Sequence, residues 1–244
     1  MSVKCEILSV KFDNLSRKSA LNVVLGFLKG DKKRRIYTPN PEMVMLAQKD
    51  NEFMEVLNSA DLCVPDGIGI VIGSKFTGEP IKERVAGYDL IQAVFDSIKS
   101  TDITVYFLGG APGIAEKAKE EMEKKHSGLK IVGTHDGYFN ADNEQEVIDE
   151  INTLSPDLLL VGIGFPRQEK WIYNNIDRLS SKVLVGVGGS FDVMSGQLKR
   201  APEIFIRLGL EWFYRLITQP SRFVRMLQLP LFLIKVILKG KNKK

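Results

Sequence analysis

Cysteine is scarce. Only Cys5 and Cys63 occur in 244 residues. Two thiols do not build a disulfide framework, and no CxxC or Cys/His cluster suggests zinc. A reducing compartment is the reading this supports. Long apolar runs are missing too. The longest, Leu229–Leu238, is broken by Pro230 and Lys235, far short of the roughly 20 residues that span a bilayer. The opening segment MSVKCEILSVKFDN lacks the continuous apolar core of a secretion signal. These absences predict a cytoplasmic protein, peripheral on the inner face of the cell membrane and not integral to it. Nucleotide motifs are absent as well. Gly162-Ile163-Gly164 continues as Phe165-Pro166-Arg167 with no third glycine, and no GxxxxGK[ST] loop occurs. That argues against NAD and against a P-loop ATPase. No DxD pair is present, so no metal and no cofactor is expected. His126 and His135 stand apart and read as surface residues. Nothing points to a nucleic-acid partner.

Charge is present but unevenly placed. From Leu198 to Lys244 the chain carries eleven Lys or Arg against Glu203 and Glu211 alone, while the whole chain is only +4. A basic, apolar tail therefore follows a mildly acidic body. Such a tail suits an anionic, greasy surface, and a membrane is both. Its apolar residues Trp212, Phe213, Leu216 and Ile217 suit a subunit interface equally, and a homo-oligomer in solution is expected.

The body alternates short β-branched runs with amphipathic stretches. Strands are predicted at 35–38, 60–64, 103–108, 129–132, 158–161 and 183–187. Helices are predicted at 42–49, 88–99, 112–125, 143–154 and 166–175. Strand, glycine turn and helix in repetition predict an α/β fold with a Rossmann-like, open, mostly parallel sheet and crossover helices. A basic, amphipathic helical appendage completes it. The organisation expected is a catalytic α/β domain over residues 1–197 and the appendage over 198–244. Gly109, Gly110, Gly137, Gly162, Gly164, Gly188 and Gly189 all follow predicted strands. The carboxyl ends of parallel strands form a ligand crevice, and glycine there admits a nucleotide close to the backbone.

Three polar clusters fall at those ends. In Thr38-Pro39-Asn40-Pro41-Glu42, two prolines stiffen the turn that presents Thr38 and Asn40. Asn40 reads as a helix N-cap, as a ligand contact, or as both. In Val64-Pro65-Asp66-Gly67, Asp66 ends a predicted internal strand, where a carboxylate facing the crevice can serve as general base. Asp-Gly after proline is also ordinary turn chemistry. Arg84 precedes the 88–99 helix and can clamp a phosphate through bidentate hydrogen bonds. In the third cluster, Gln168 and Glu169 occupy the first turn of the helix after Pro166. Their side chains suit sugar hydroxyls, and Glu169 also complements the helix dipole. Asp192, after Gly188-Gly189, suits ribose hydroxyls.

Taken together, TPNPEM, ADLCVPDGIGI, ERVAGYDL, FLGGAPG, DGYF, VGIGFPRQEKWI and GVGGSFDVMSGQLKRAP resemble the WecG/TagA/CpsF glycosyltransferases, glycosyltransferase family 26. The resemblance runs from about Ile36 to about Arg225. The ending EWFYRLITQPSRFVRML is most like the TagA branch. It implies an inverting, metal-independent hexosyltransferase. In TagA-like members the donor is UDP-N-acetylmannosamine and the acceptor undecaprenyl-diphosphate-linked GlcNAc, a step of wall teichoic acid linkage-unit synthesis. Carried onto this chain, the resemblance makes Asp66 the general base. It places Thr38, Asn40 and Gln168 on the sugars, Arg84 on the leaving diphosphate, and Tyr138 and Asp192 on the uridine. Ala111 occupies a variable position. Relatives that use a uronic acid or another sugar leave the donor open, and a non-catalytic nucleotide-binding membrane adaptor is a reading of another class.

Without a metal ion, amides, helix N-termini and arginines must meet the charge on departing UDP. The tail supplies Arg215, Arg222 and Arg225, the last two sharing a helix face. They are expected to meet diphosphate when the tail folds over the crevice, with binding to anionic lipid headgroups as the other role open to them.

Overall fold

The structure is a computed structural model that describes residues 3–218 and 227–241. Its centre is a six-stranded sheet in the order β4-β3-β8-β7-β5-β6, with every neighbouring pair parallel. The strands are β3 (Arg34–Tyr37), β4 (Leu62–Cys63), β5 (Thr104–Gly109), β6 (Lys130–His135), β7 (Leu158–Gly162) and β8 (Val183–Gly186). A separate antiparallel hairpin, β1 (Lys4–Ile7) with β2 (Val10–Asp13), precedes them.

Both faces of the sheet are covered, which is why β5, β7 and β8 are apolar at consecutive positions and not only at alternate ones. In β7, Leu158 and Leu160 enter one core cluster, and Leu159 and Val161 enter the other. The first face is packed by α1 (Arg17–Lys29), α5 (Gly87–Ile98), α6 (Ile114–Lys125) and α9 (Ser190–Met194). The second receives α2 (Pro41–Ala47), α3 (Asn51–Asn58), α4 (Ile68–Ser74), α7 (Glu144–Leu154) and α8 (Arg167–Asn175). The hairpin lies on this second face. Buried Asp13 tethers it there by accepting the Cys63 amide at 2.9 Å.

The parallel α/β architecture expected from the sequence is present. The strand predicted at 60–64 narrows to Leu62–Cys63, the two positions that pair with Ile36 and Tyr37 of β3. The strand predicted at 129–132 extends to His135, because β5 continues to offer it partners. Helix α4 (IGIVIGS) has weak helix propensity in its β-branched residues and glycines, and packing of Ile70 into the core overrides it. One expectation fails. His126 is not a surface residue: it is buried, its ring edge-on to Phe95, with Nδ1 3.0 Å from Asp96 and Nε2 3.1 Å from Gln92. The α6 C-terminus turns it inward against α5, a contact between elements that spacing along the chain does not reveal.

The appendage continues as α10 (Glu203–Arg207), α11 (Glu211–Thr218) and α12 (Gln228–Lys241). Helix α12 lies against α2 and α4. Phe232 and Val236 are buried in the core of the second face, and Phe232 packs over Gly73, where an added Cβ would sit 2.8 Å from the ring. Leu231, Ile234 and Leu238 face outward at 49%, 55% and 60% exposure. Among the described residues no helix is long and apolar enough to cross a membrane.

Candidate active site

The strand ends assemble one crevice with two chambers. The first has a volume of about 510 Å³ and is lined by Thr38, Asn40, Asp66, Arg84 and Gln168 among others. The second, of about 610 Å³, is lined by Gly137, Tyr138 and Arg167 among others. Gly110, Gly162 and Asp192 line both, so the chambers adjoin at the ends of β5 and β7.

Backbone bonds build the first chamber. Asp66 N–H donates to Pro39 O at 3.1 Å, joining the loop after β4 to the loop after β3. Val85 N–H donates to Pro65 O at 3.0 Å, which delivers Arg84 to the same place. Arg84 Nη2 then lies 3.5 Å from Asp66 Oδ1. Burial works against the charge on Arg84, but the carboxylates of Asp66 and Glu211 outweigh it and hold its pKa above the ordinary value. Asn40 takes the first of the two roles open to it, the N-cap of α2. Its Oδ1 caps α2 by accepting Met43 N–H at 3.0 Å, and the residue lines the chamber. Thr38 packs on Gly87 at the start of α5, where an added Cβ would meet its Oγ1 at 2.9 Å.

Gln168 and Glu169 separate. Gln168 lines the chamber, and its Oε1 accepts the Gly188 amide at 3.0 Å, tying α8 to the turn after β8. Glu169, expected to face sugar hydroxyls, turns beneath the site and is 1% exposed. Its Oε1 accepts from Gln168 Nε2 at 2.6 Å. Burial pushes its carboxyl up to about 7, partly offset by the Gln168 hydrogen bond and a backbone one. One residue apart on a helix is about 100° of rotation, so neighbours at 168 and 169 do not share a face.

The second chamber is walled largely by backbone. Gly109 has φ +141°, and a Cβ there would lie 2.4 Å from Gly162 O. Only glycine permits strands β5 and β7 to end in this contact. Gly110 N–H donates to Gly162 O at 3.1 Å, and Gly137 N–H to Gly110 O at 2.8 Å. Gly164 and Gly189 also line the first chamber, so all the glycine turns except Gly109 border one crevice or the other. Tyr138 stands at the mouth, 74% exposed. Its loop is pinned by Arg167, which sequence reasoning passed over: Nη1 donates to Gly137 O at 3.0 Å, Nη2 to Phe139 O at 2.5 Å, and the guanidinium lies over the Phe139 ring. Arg167 follows Pro166 in the VGIGFPRQEKWI segment, and only the fold shows that it reaches across to Gly137 and Phe139.

The appendage contributes to the lining of the first chamber. Arg200, Glu211, Trp212, Gln228 and Leu229 all line it. Arg222 and Arg225 lie outside the described residues, and α11 carries Arg215 without its side chain being described. Among the described residues no cluster of three or more His, Cys, Asp or Glu is placed to hold a metal ion.

Known proteins resemble this chain over most of its length. The profile of the glycosyl transferase WecG/TagA/CpsF family matches residues 5–244. A protein of Bacillus spizizenii named N-acetylglucosaminyldiphosphoundecaprenol N-acetyl-beta-D-mannosaminyltransferase is 40% identical over 86% of this chain and 81% of its own. One of the same name from Bacillus subtilis is 38% identical over the same shares. Another from Staphylococcus aureus is 32% identical over 99% of this chain and 95% of its own. A crevice at the strand ends, a carboxylate–arginine pair within it and a match along nearly the whole chain lead to one conclusion: this protein belongs to the WecG/TagA/CpsF family of glycosyl transferases.

Proposed function

We propose that this protein is an inverting transferase that moves N-acetylmannosamine from UDP-N-acetylmannosamine to undecaprenyl-diphosphate-linked GlcNAc, making the disaccharide-lipid of a wall teichoic acid linkage unit. The relatives' names supply donor sugar and acceptor. The observation that carries the chemistry is Asp66 beside Arg84 in a chamber that adjoins the one lined by Tyr138 and Asp192.

Asp66 takes the proton of the acceptor hydroxyl as its oxygen attacks the anomeric carbon. The bond from that carbon to the UDP oxygen breaks on the opposite face, and UDP leaves with the electron pair. Inversion follows from this single displacement. Arg84 meets the charge that develops on the diphosphate, and Thr38, Asn40 and Gln168 hold the sugars. Tyr138 and Asp192 hold the uridine, with Arg167 fixing the Tyr138 loop. The catalytic body is 1–197, and 198–244 is an appendage that docks on an anionic membrane and completes the site, Arg215, Arg222 and Arg225 meeting diphosphate there.

Three measurements test this. A panel of UDP-sugars is offered with a short-chain soluble polyprenyl-diphosphate-GlcNAc and the product mass is read. Addition of one N-acetylhexosamine from UDP-N-acetylmannosamine is expected, and a product with any other sugar overturns the donor assignment. Asp66→Asn is expected to lose on the order of 10²–10⁴-fold in turnover while UDP binding survives. Full activity removes Asp66 as the base. Arg222→Glu with the soluble acceptor and no membrane is expected to be impaired, and normal activity restricts that arginine to lipid binding.

A further inference from the structure

Glu211 is an acidic residue in a strongly basic appendage, and its carboxylate lies inside the first chamber between two guanidinium groups. Arg84 Nη2 holds its Oε2 in a very short contact, and Arg200 Nε lies 3.9 Å from its Oε1. Glu211 is only 15% exposed and Arg84 18%. Both arginines are fixed from elsewhere. Arg200 Nη2 donates to Asp89 Oδ1 at 2.6 Å, and its guanidinium lies 4.7 Å from the Tyr88 ring centre. Tyr88 and Asp89 belong to the first turn of α5, so Arg200 is anchored on a rigid element. Arg84 is set by the Val85–Pro65 backbone bond and by Asp66. Arg84 also keeps a buried Nε–H without an acceptor among the described residues.

Two fixed guanidinium groups, each facing a different oxygen of one anion, form the arrangement that recognises phosphate as readily as carboxylate. The anion present comes from the appendage and not from the body that holds the arginines. A carboxylate offers two oxygens, whereas a diphosphate offers more and reaches the remaining Arg84 N–H as well. We propose that Arg84 and Arg200 together form a diphosphate-binding pair in the first chamber, to which the other arginines of the appendage add, and that Glu211 is a displaceable carboxylate that occupies it until a diphosphate arrives. Displacement releases Glu211 from Arg84 and frees the start of α11, where Trp212 lines the same chamber. Occupancy of the site is thereby coupled to the position of the appendage. Arg200 is a diphosphate ligand, and Glu211 a competitor. This deepens the glycosyl-transfer reading and rests on it for the substrate that brings the diphosphate.

The experiment is calorimetric binding of three probes to the full chain: inorganic pyrophosphate, UDP and geranyl diphosphate, with uridine as control. Glu211→Gln removes the competing charge and is expected to tighten pyrophosphate roughly tenfold, whereas Arg200→Gln is expected to weaken it roughly tenfold. Uridine is expected to be indifferent to both. A gain with UDP assigns the site to the donor, and a gain with geranyl diphosphate assigns it to the lipid acceptor. If Glu211→Gln weakens the three diphosphates or leaves them unchanged, the competitor role is overturned. If Arg200→Gln leaves pyrophosphate unchanged, the two-arginine site is overturned. A parallel change in uridine affinity marks a general disturbance of the fold and also counts against the proposal. Melting curves accompany each variant, and Glu211→Asp, which draws the carboxylate back by one methylene, is expected to tighten the probes partway should Glu211→Gln fail to fold. Failure of sugar transfer from UDP-N-acetylmannosamine would count against the donor assignment while leaving these binding outcomes readable.

Discussion

Asp66 and Arg84 are eighteen positions apart and meet because the peptide groups of Pro39, Pro65 and Val85 tie three loops together. The residue types were legible from sequence, but their pairing, and the involvement of Glu211, was not. Glycine at 109 is required by both its positive φ and its contact with Gly162 O. Gly109→Ala therefore forces β5 and β7 apart, and a loss of about 1–3 kcal/mol or more is expected in urea unfolding. Glu169 yields a pH-dependent prediction. Its folded-state pKa of about 7 lies above the ordinary 4.5, so as pH rises the unfolded chain releases this proton first. Stability contributed by the group is full below about pH 4.5 and is lost as pH climbs to about 7, on the order of 3 kcal/mol in total. Glu169→Gln removes that loss. Between pH 5 and pH 8 the variant is expected to gain on the wild type in urea midpoint, and identical slopes in the two proteins would contradict the assignment.

At the scale of elements, strands and helices differ in how much of them sequence reveals. The buried strands β5, β7 and β8 announce themselves as short apolar runs ended by glycine, because a parallel sheet covered on both faces needs apolar side chains at every position. Helix α4 does not, since its conformation depends on packing with Ile70 buried and α12 lying across it. Helix α12 itself reads as one amphipathic surface segment, yet the fold divides it. Phe232 and Val236 enter the core, and Leu231, Ile234 and Leu238 face outward. Phe232→Ala is expected to weaken the docking of α12 by about 3–5 kcal/mol. Hydrogen exchange of the α12 amides should then rise steeply while that of β5 and β7 stays protected. Unchanged protection in α12 would show that Phe232 does not hold the helix.

For the whole molecule, the outward faces of α10, α11 and α12 carry Ile204, Leu208, Phe213 and Ile217 together with Leu231, Ile234 and Leu238, with Lys235 and Lys239 among them. Exposed apolar groups interleaved with cations suit an anionic bilayer surface. Sedimentation with phosphatidylglycerol vesicles is expected to capture the protein at low salt. Capture should fall as salt rises and be much weaker on phosphatidylcholine alone. Replacing both Leu231 and Ile234 by Asp is expected to abolish it while the body stays folded, because both side chains are about half exposed and stand outside the two core clusters. Equal capture of this variant would move the membrane contact elsewhere.

The sequence by itself determined the α/β class, the glycine-ended strands, the family resemblance and the charge asymmetry of the tail. Each follows from local pattern or composition, which the chain carries without being folded. Tertiary structure alone decided which polar residues share a chamber. It turned Gln168 toward the crevice and Glu169 beneath it, buried His126 against α5, and set Arg167 across the Tyr138 loop. It also placed Glu211 between Arg84 and Arg200. Those outcomes depend on contacts between segments as much as 127 residues apart. Only the packing of the two faces of the sheet and of the appendage over its strand ends brings such segments together, because no short-range pattern encodes a distance of that kind.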